Sequence, residues 1–373
     1  MTDRRWAWLE IDLEALRHNV RALHAMCAPG VELMAVVKAD AYGHGAVACA
    51  TAALEAGATR LGVATLDEAL ELRAAGITAV IQILSQIPTT AIRAAIDADI
   101  TLTAYTFEFL SALSGEATLA GSMAEYHFKV DSGMHRIGAT PADSVYILQE
   151  AAHLPNIVLG GVMTHFATAD VLGDWDATTQ LATFTDTVAA IRGAGIDPGT
   201  VHACNSPATI LMPEAHFDMV RPGLAIYGLH PSEASPGRID LKPVMSVKAR
   251  AVFVKPLEIG DGVSYGMTWR AFAPTEIATL SLGYADGVPR IASNELSALV
   301  HGKRVSQVGR VCMDQCMFEV PVGQVSAGHE FVLIGEQGSE RITMDEVAEL
   351  AQTITHEIAC GLGQRLEHVY LNR

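Results

Sequence analysis

Short apolar runs alternate with amphipathic stretches up to about residue 230 of the chain. The apolar runs predict eight β-strands, at residues 33–37, 60–64, 80–84, 100–104, 126–130, 157–163, 201–203 and 219–220, the last continuing to 227. The stretches between them, such as 47–56, 67–75 and 177–192, have the spacing of helices. Strands that alternate with helices are typical of parallel sheets, and eight of them predict a (β/α)8 barrel. A doubly wound open sheet is the alternative, but no G-x-G-x-x-G follows the first strand.

The pattern changes after the proline- and serine-rich segment "HPSEASPGR" at residues 230–238. Beyond it, β-rich runs at 247–254, 276–281, 298–300, 304–308, 317–320 and 330–334 predict a smaller, mainly β domain. The sequence therefore predicts an α/β protein with a barrel domain at residues 1–235 and a mainly β domain at 236–373. The start of the chain, up to about residue 12, is expected to pack on the β domain.

Composition restricts the partners and the location of the protein. Half of its 373 residues are apolar, so a sizeable core is available. The net charge of −17 disfavours binding to nucleic acid or to an anionic membrane. No run of about 18 apolar residues predicts a membrane span, and the N-terminal stretch lacks the apolar run of a signal peptide. Six scattered cysteines indicate free thiols, and we therefore expect a cytoplasmic protein.

Polar side chains stand where the predicted barrel strands end. They are Lys38 at the first strand, Lys129 and Arg136 at and after the fifth, His165 at the sixth, Asn205 and Ser206 at the seventh, and Arg221 in the eighth. In (β/α)8 barrels the chemistry takes place at the carboxyl ends of the strands. We therefore expect these groups to converge on one face.

Lys38 stands in "VVKADAYGHG", at the end of a fully apolar run. A lone lysine is ordinarily a surface residue, but desolvation beside a dry core lowers the pKa of an amine and lets it attack a carbonyl. Asn205 and Ser206 precede a helix, and Gly223 lies in the last barrel loop, two places that suit a phosphate. A simple helix cap at "NSP" and a surface salt bridge at Arg221 are the alternatives. A reactive lysine combined with a phosphate site predicts pyridoxal phosphate.

A resemblance to a known family extends over nearly the whole chain. It rests on the stretches "VVKADAYGHG", "KVDSGMHRIG", "THFATAD", "CNSPA", "VRPGLAIYG", "GDGVSYGMTW", "LGYADGVPR" and "GRVCMDQCM". In this order and in both domains, they resemble the alanine racemase family. The resemblance implies a pyridoxal-phosphate enzyme that interconverts L- and D-alanine, either to supply D-alanine for peptidoglycan or to allow its catabolism. It also implies a homodimer with composite active sites.

The resemblance implies catalytic roles for five residues. Lys38 is the Schiff-base lysine and the base on one face of the substrate, and Tyr265 of the second chain is the base on the other. Arg221 faces the pyridine nitrogen, His165 bridges Arg221 and Tyr265, and Arg136 lies near the cofactor phenolate and the substrate carboxylate. Racemisation does require a base on each face. An arginine keeps its proton at any relevant pH, so it cannot protonate the pyridine nitrogen.

The other motif residues are implied to contact the cofactor or the substrate. The cofactor contacts beyond Lys38 and Arg221 are Tyr42, His165, Asn205, Ser206, Gly223, Leu224 and His356. The substrate contacts are Arg136, the backbone of Met313, and Tyr284 at the entrance. Lys129 matches a lysine that is carbamylated in many relatives and braces Arg136.

Two histidines depart from the family pattern. His135 replaces a frequent glycine, and a bulkier loop residue is the simplest interpretation. His356 replaces a tyrosine that contacts the phosphate and narrows the substrate channel. An imidazole is shorter and can carry charge, so we expect a side activity on serine; a phosphate contact alone is the alternative. His356 and Cys360 have the spacing of metal ligands on a helix, but no third ligand is evident and no metal is expected.

Other functions share parts of this pattern. A serine racemase, or a dehydratase or decarboxylase of D-amino acids, could use the same cofactor site. A non-catalytic pyridoxal-phosphate carrier would need neither the β domain nor the tyrosine of "SYG". The paired bases Lys38 and Tyr265 favour racemisation over these alternatives.

Overall fold

The computed structural model describes residues 6–363 and 365–373, and they divide into two compact units. The β unit comprises the described chain up to Glu14, the segment Tyr42–Gly45, and the chain from Pro243 onward. The barrel unit comprises Ala15–Ala41 and Ala46–Lys242. The first strand, β1 (Ala7–Asp12), therefore belongs to the β unit, and helix α1 (Leu13–Ala25) follows it.

Within the described chain, eight parallel strands form the barrel. They are β2 (Glu32–Val36), β3 (Arg60–Val63), β4 (Val80–Ile83), β5 (Leu102–Ala104), β6 (Ala124–Lys129), β7 (Ile157–Met163), β8 (Thr200–His202) and β9 (Met219–Val220). Their order around the sheet is β4-β3-β2-β9-β8-β7-β6-β5. The ring closes between β4 and β5, where Ile83 N–H donates to Thr101 O and Thr101 N–H donates to Ile81 O, each at 3.0 Å. The predicted barrel is confirmed.

Helical segments connect the strands. They are α2 (Lys38–Gly43), α3 (Ala46–Glu55), α4 (Leu66–Ala74), α5 (Ile92–Asp97), α6 (Phe107–Ala120), α7 (Pro141–Ala151), α8 (Trp175–Gly193) and α9 (Ser206–Leu211). Short polar side chains begin several of them by accepting a backbone N–H three residues on, which satisfies a donor that the helix itself leaves unpaired. These caps are Thr65, Thr106, Thr140, Asp174 and Asn205.

The β unit contains the remaining strands and two helices. The strands are β10 (Met245–Leu257), β11 (Gly262–Val263), β12 (Trp269–Arg270), β13 (Thr275–Leu280), β14 (Ser297–Val300), β15 (Lys303–Ser306), β16 (Cys316–Val320), β17 (Glu330–Gln337), β18 (Glu340–Ile342) and β19 (Glu367–Leu371). The helices are α10 (Met344–Leu350) and α11 (Thr355–Gly361). This unit confirms the predicted mainly β fold.

Strand β1 lies between β10, with which it is antiparallel, and β19, with which it is parallel. Its residues alternate between buried and half-buried, so Leu9 and Ile11 enter the core. The sequence also assigned residues 1–5 to this packing, but they lie outside the described residues.

One predicted strand end is wrong. The eighth barrel strand does not continue to residue 227, because β9 ends at Val220 and a 3-10 helix occupies Leu224–Tyr227. Pro222 has no N–H to donate to a neighbouring strand, and Gly223, at φ −113° and ψ −86°, lies outside the β region. Arg221 therefore follows its strand instead of lying within it.

Candidate functional site

Lys38 begins α2 just beyond the carboxyl end of β2, and the segment that it opens is left-handed. Residues 39–43 all have positive φ, from 52° to 76°. This conformation costs roughly 1–2 kcal/mol for each residue other than glycine, so it persists only where other bonds hold it. Ala39 N–H donates to Glu68 Oε1 at 2.8 Å, and Ala46 N–H donates to Asp40 Oδ1 at 2.6 Å. Two carboxylates thus bind the two ends of the turn.

Arg221 is buried at the strand ends, with 5 % of its surface exposed. Its guanidinium donates to His202 Nδ1 at 2.9 Å, to Thr164 O at 2.7 Å and to Ala203 O at 2.9 Å. His165 Nδ1 lies 3.4 Å from the same group. Burial lowers the pKa of Arg221 to about 10, which still leaves it protonated at neutral pH. The barrel therefore holds a fixed cation at its mouth.

Two further histidines continue from Arg221 into the barrel. His202 Nε2 lies 2.7 Å from His127 Nδ1. Burial first, and the charge of Arg221 second, hold the pKa of His202 well below its ordinary value. Because Arg221 can only donate, His202 Nδ1 must accept, and its Nε2 proton is donated to His127. His127 Nε2 then faces Glu125 Oε1 at 3.6 Å. The cation thus fixes the tautomers of both rings.

Lys129 lies at the end of β6, buried beside the other cations. Burial, followed by the charges of Arg221, Arg136 and Lys38, lowers the pKa of its amine to about 7. A substantial fraction of this amine is therefore uncharged at neutral pH. The same charges act on His165, whose pKa is held well below its ordinary value, chiefly by burial. The structure thus brings together the basic residues predicted from five different places in the sequence.

Ser206 and the loop after β9 form a second part of the site. The Ser206 hydroxyl oxygen accepts from Gly223 N–H at 2.9 Å and from Ala225 N–H at 3.2 Å. Asn205 caps α9 by accepting from Ala208 N–H at 3.2 Å. The cap that the sequence offered as an alternative role for Asn205 is therefore present. A hydroxyl that accepts two bonds can still donate its own proton to an anion.

Tyr42 and His356 lie side by side in the β unit, with ring centroids 5.8 Å apart. The segment that carries Tyr42 packs tightly on α11: a Cβ on Gly43 would collide with Ala359 O. His368 in β19 donates from Nε2 to Gly43 O at 3.0 Å. Burial, followed by the charge of Cys360, raises the pKa of Tyr42, so its hydroxyl keeps its proton and can act as a donor.

Tyr265, Tyr284 and Met313 are exposed side chains of the β unit, at 71 %, 41 % and 52 %. Backbone bonds join two of their loops, since Tyr284 N–H donates to Cys312 O at 2.9 Å and Ala285 N–H donates to Met313 O at 3.0 Å. Tyr265 follows Ser264, which has φ 64° and whose hydroxyl donates to Arg310 O at 2.6 Å. The loops are therefore ordered by their own bonds while their side chains project outward.

Sequence reasoning missed Glu68, His127 and His202. One available signal was strand alternation, which puts His127 on the same barrel face as Lys129 two residues later. His135, by contrast, is an exposed loop residue with φ 55°, at an angle that favours glycine. Glu68 could be read from sequence only as a helix-capping residue.

Among residues 6–363 and 365–373, no group of three or more His, Cys, Asp or Glu side chains is arranged to hold a metal ion. In the same part of the chain, none of the helices combines the length and the apolar character that crossing a membrane would require.

The fold and this site define a (β/α)8 barrel protein with a mainly β second domain and a cluster of basic residues at the carboxyl ends of the barrel strands. Residues 11–231 match the family described as "Alanine racemase, N-terminal domain", and residues 244–370 match "Alanine racemase, C-terminal domain". The chain belongs to the alanine racemase family, whose members depend on pyridoxal phosphate.

Similar proteins match nearly end to end. The alanine racemase of Desulfovibrio desulfuricans is 43% identical over 368 residues, covering 98% of this chain and 98% of that protein. The crystal structure of alanine racemase from a D-cycloserine-producing Streptomyces lavendulae is 42% identical with a TM-score of 0.95, covering 100% and 98% of the two chains. The alanine racemase of Bacillus anthracis with bound L-Ala-P is 40% identical with a TM-score of 0.94, covering 100% and 97%.

Proposed function

We propose that this chain interconverts L-alanine and D-alanine with pyridoxal phosphate and one base on each face of the substrate. The observation that carries the proposal is the arrangement at the carboxyl ends of the barrel strands. There, Lys38, Ser206 and Arg221 offer an amine, a hydroxyl and a permanent cation. The reaction would supply D-alanine for peptidoglycan or, in the other direction, allow D-alanine catabolism.

The donor set fits pyridoxal phosphate. Lys38 would bind its aldehyde carbon covalently, and Arg221 would face its ring nitrogen. The phosphate would be held by the hydroxyls of Ser206 and Tyr42, by the backbone and side-chain groups around Asn205, Gly223 and Leu224, and by His356. The cofactor, when bound, supplies the electron sink that acidifies the α-proton of the substrate.

In this proposal, Arg221 determines how strongly the cofactor ring withdraws electrons. Its guanidinium has donors only and stays protonated, so a ring nitrogen facing it must accept and remain unprotonated. Two backbone carbonyls and His202 already hold the guanidinium in place, so it does not need to reorganise during turnover. A weaker sink disfavours side reactions such as transamination.

The two bases are Lys38 and Tyr265. Tyr265 is exposed and lies in the β unit together with other large exposed apolar side chains, namely Met267, Phe272, Ile291 and Met313. Exposed apolar side chains of this kind support the proposal of an interface. We propose a two-fold homodimer in which each β unit supplies Tyr265 to the other chain's Lys38, with His165 between Arg221 and that tyrosine. Tyr284 would line the entrance, and the Met313 backbone would reach the substrate carboxylate.

Lys129 is proposed to be carbamylated. A neutral amine reacts with carbon dioxide, and the pKa of Lys129, about 7, makes a neutral fraction available. The reaction would exchange a buried cation for an anion among Arg136, Arg221 and Lys38, which relieves their mutual repulsion. It would also brace Arg136 for contact with the substrate carboxylate.

His356 favours a side activity on serine, because the imidazole beside Tyr42 is shorter than the tyrosine of relatives and adds a polar group. A cytoplasmic location is proposed because no disulfide joins any of the six cysteines, all of which lie within the described chain.

Incubation with L-alanine and with L-serine in deuterated water tests the reaction. We expect loss of optical rotation together with loss of the α-proton signal, faster for alanine than for serine. Exchange of the α-proton without loss of rotation would contradict the two-base proposal. Formation of pyruvate from serine or release of carbon dioxide would indicate a dehydratase or a decarboxylase.

Lys38→Ala tests whether Lys38 is the lysine that binds pyridoxal phosphate covalently. We expect the visible absorbance of the bound cofactor, the borohydride-reducible adduct and the activity to be lost together. An adduct that persists in this variant would show that another lysine is the anchor.

A further inference from the structure

Glu68 makes more hydrogen bonds than a helix cap requires. It lies in the first turn of α4, where Thr65 Oγ1 accepts from Glu68 N–H at 3.3 Å and Glu68 Oε2 accepts in return from Thr65 N–H at 3.2 Å. The same oxygen also accepts from Ala64 N–H at 2.7 Å. Its other oxygen, Oε1, accepts from Ala39 N–H at 2.8 Å, and Ala39 lies in the loop that follows the neighbouring strand β2. Glu68 thus bridges the loops that follow β2 and β3.

The residue that Glu68 binds is the one directly after Lys38. Ala39 has φ 52° and is the first of the left-handed residues of α2. The N–H of Ala39 belongs to the peptide plane that it shares with Lys38, so fixing that N–H also fixes the direction of the chain as it leaves Lys38. Such a conformation is unfavourable for alanine and relaxes unless it is held.

We propose that Glu68 is a positioning residue for Lys38: its carboxylate holds the Lys38–Ala39 peptide in the left-handed turn and thereby aims the lysine side chain. The role of Lys38 itself rests on the proposed function. The carboxylate suits this task because three N–H groups converge on its two oxygens, and bonds to an ionised acceptor are stronger than neutral ones. A glutamine would turn its amide N–H toward one of these donors.

The chain offers matched variants that separate positioning from capping and from charge. Glu68→Gln keeps the size of the side chain and removes the second acceptor. Thr65→Ala removes the cap that Glu68 N–H uses but leaves the carboxylate in place. Asp67→Asn removes an exposed negative charge one residue earlier. Glu68→Asp keeps the charge but retracts the oxygens by one methylene, and it serves as the second variant if Glu68→Gln does not fold.

The first readout is amide hydrogen exchange at Ala39, measured in the cofactor-free protein and after loading with pyridoxal phosphate. We expect Glu68→Gln and Glu68→Asp to raise this exchange rate by about tenfold or more, as loss of a charge-assisted hydrogen bond predicts. Thr65→Ala and Asp67→Asn should change it by less than about twofold. The second readout is the rate at which pyridoxal phosphate forms a borohydride-trapped adduct on Lys38, which should fall in the same two Glu68 variants.

Exchange at Ala39 that is unchanged in Glu68→Gln would overturn the proposal. Equal effects of Thr65→Ala and Glu68→Gln would also overturn it, because helix capping would then be the whole role. Exchange at Ala39 that stays at the wild-type rate in Glu68→Asp would overturn it as well, because the negative charge would then suffice without the reach that bridges the two loops. Failure of the proposed function is distinguishable, because wild-type protein would then form no adduct on Lys38 while Ala39 exchange would still report on the bridge.

Discussion

Burial decides which side chains of the site carry charge. Arg221 stays protonated even when buried, because its ordinary pKa is so high that burial leaves it at about 10. His165 and His202 are held neutral by burial and by that same cation. Lys129 falls between these cases, with a pKa of about 7. Residues with similar chemistry in solution are therefore assigned different charge states by their positions in the barrel.

Lys129→Met is expected to stabilise the protein in acid more than in base. The pKa of Lys129 is about 7 when folded and ordinarily 10.5, so the unfolded chain binds more protons between these values. Stability of the wild type therefore rises with pH over this window, and the penalty is complete below about pH 7. We expect the free energy of unfolding of the variant to exceed that of the wild type by roughly 2–5 kcal/mol at pH 6 and by little at pH 10. The upper figure is the free energy that corresponds to the whole pKa shift.

Urea unfolding at the two pH values, in buffer freed of carbon dioxide, measures this gain. Lys242→Met, at an exposed lysine, is the control and should show no such pH dependence. An equal gain in the free energy of unfolding at pH 6 and pH 10 would mean that the pKa of Lys129 is not lowered in the folded protein.

His356→Tyr is expected to sharpen the preference for alanine over serine. The imidazole leaves more room beside Tyr42 and can hydrogen-bond a hydroxyl, and one such bond changes kcat/KM by roughly several-fold. The serine-to-alanine ratio of kcat/KM should therefore fall in the variant, while cofactor binding tightens. His135→Gly, at the other departing histidine, should leave the ratio unchanged. An unaltered ratio in His356→Tyr would leave His356 with a phosphate role alone.

At the scale of elements, the left-handed turn that follows Lys38 is the most demanding piece of the chain. The carboxylates of Glu68 and Asp40 bind Ala39 N–H and Ala46 N–H at its two ends, and its last residues, Tyr42 and Gly43, belong to the β unit. Gly43 has φ 76°, and an added Cβ would meet the backbone oxygens of Ala359 and Leu362. Both conformation and space therefore call for glycine at this position.

Gly43→Ala should separate these two requirements when it is compared with Gly76→Ala. Gly76 has φ 86° with no atom within 4 Å of an added Cβ, so its substitution should cost only the conformational penalty, about 1 kcal/mol. Gly43→Ala should cost about 2 kcal/mol or more beyond that and should also weaken pyridoxal-phosphate binding, because Tyr42 shifts. Thermal unfolding and cofactor titration measure both effects. Equal losses in the two variants would contradict the close-packing argument.

The sequence predicted the regular elements well, and the glycines after Lys38 predicted a tight turn, but its left-handed conformation was not predicted. All eight barrel strands begin and end within two residues of their predicted bounds, apart from the continuation past Pro222. Periodicity detects strands and right-handed helices, which share negative φ, and "KADAYG" has neither period. For the same reason nothing in the sequence reveals that Tyr42–Gly45 belongs to the β unit.

Candidate site residues could likewise be predicted where they lie at the ends of regular elements, but not where their role depends on contacts between distant parts of the chain. Those at strand ends, such as Lys129 and Arg221, could be placed by the barrel rule. Glu68, His127 and His202 act through hydrogen bonds to distant residues, and no local pattern specifies such partners.

At the scale of the whole molecule, the proposed homodimer predicts that two inactive variants restore each other. Lys38→Ala lacks one base and Tyr265→Phe lacks the other, and these residues lie in different units of the chain. A mixed dimer would contain one site with both bases intact and one with neither. After chain exchange, we expect an equimolar mixture to recover about a quarter of wild-type activity, from half the dimers with one working site each.

Exchange must be demonstrated independently, for example by mass spectrometry of tagged and untagged chains. Each variant mixed with itself is the control. No recovery despite complete exchange would show that both bases come from one chain.

Because β1 pairs with β10, it is synthesised long before the strand that it pairs with. β1 precedes the barrel in the chain, but its partner β10 begins only at Met245, after the whole barrel has been made. At about 5–20 residues per second, the wait lasts roughly 10–50 seconds. During that time "AWLEID" is an unpaired strand with an apolar face, able to pair with a neighbouring chain. We therefore expect nascent chains on one messenger to be most prone to aggregate through β1 while the barrel is still being translated.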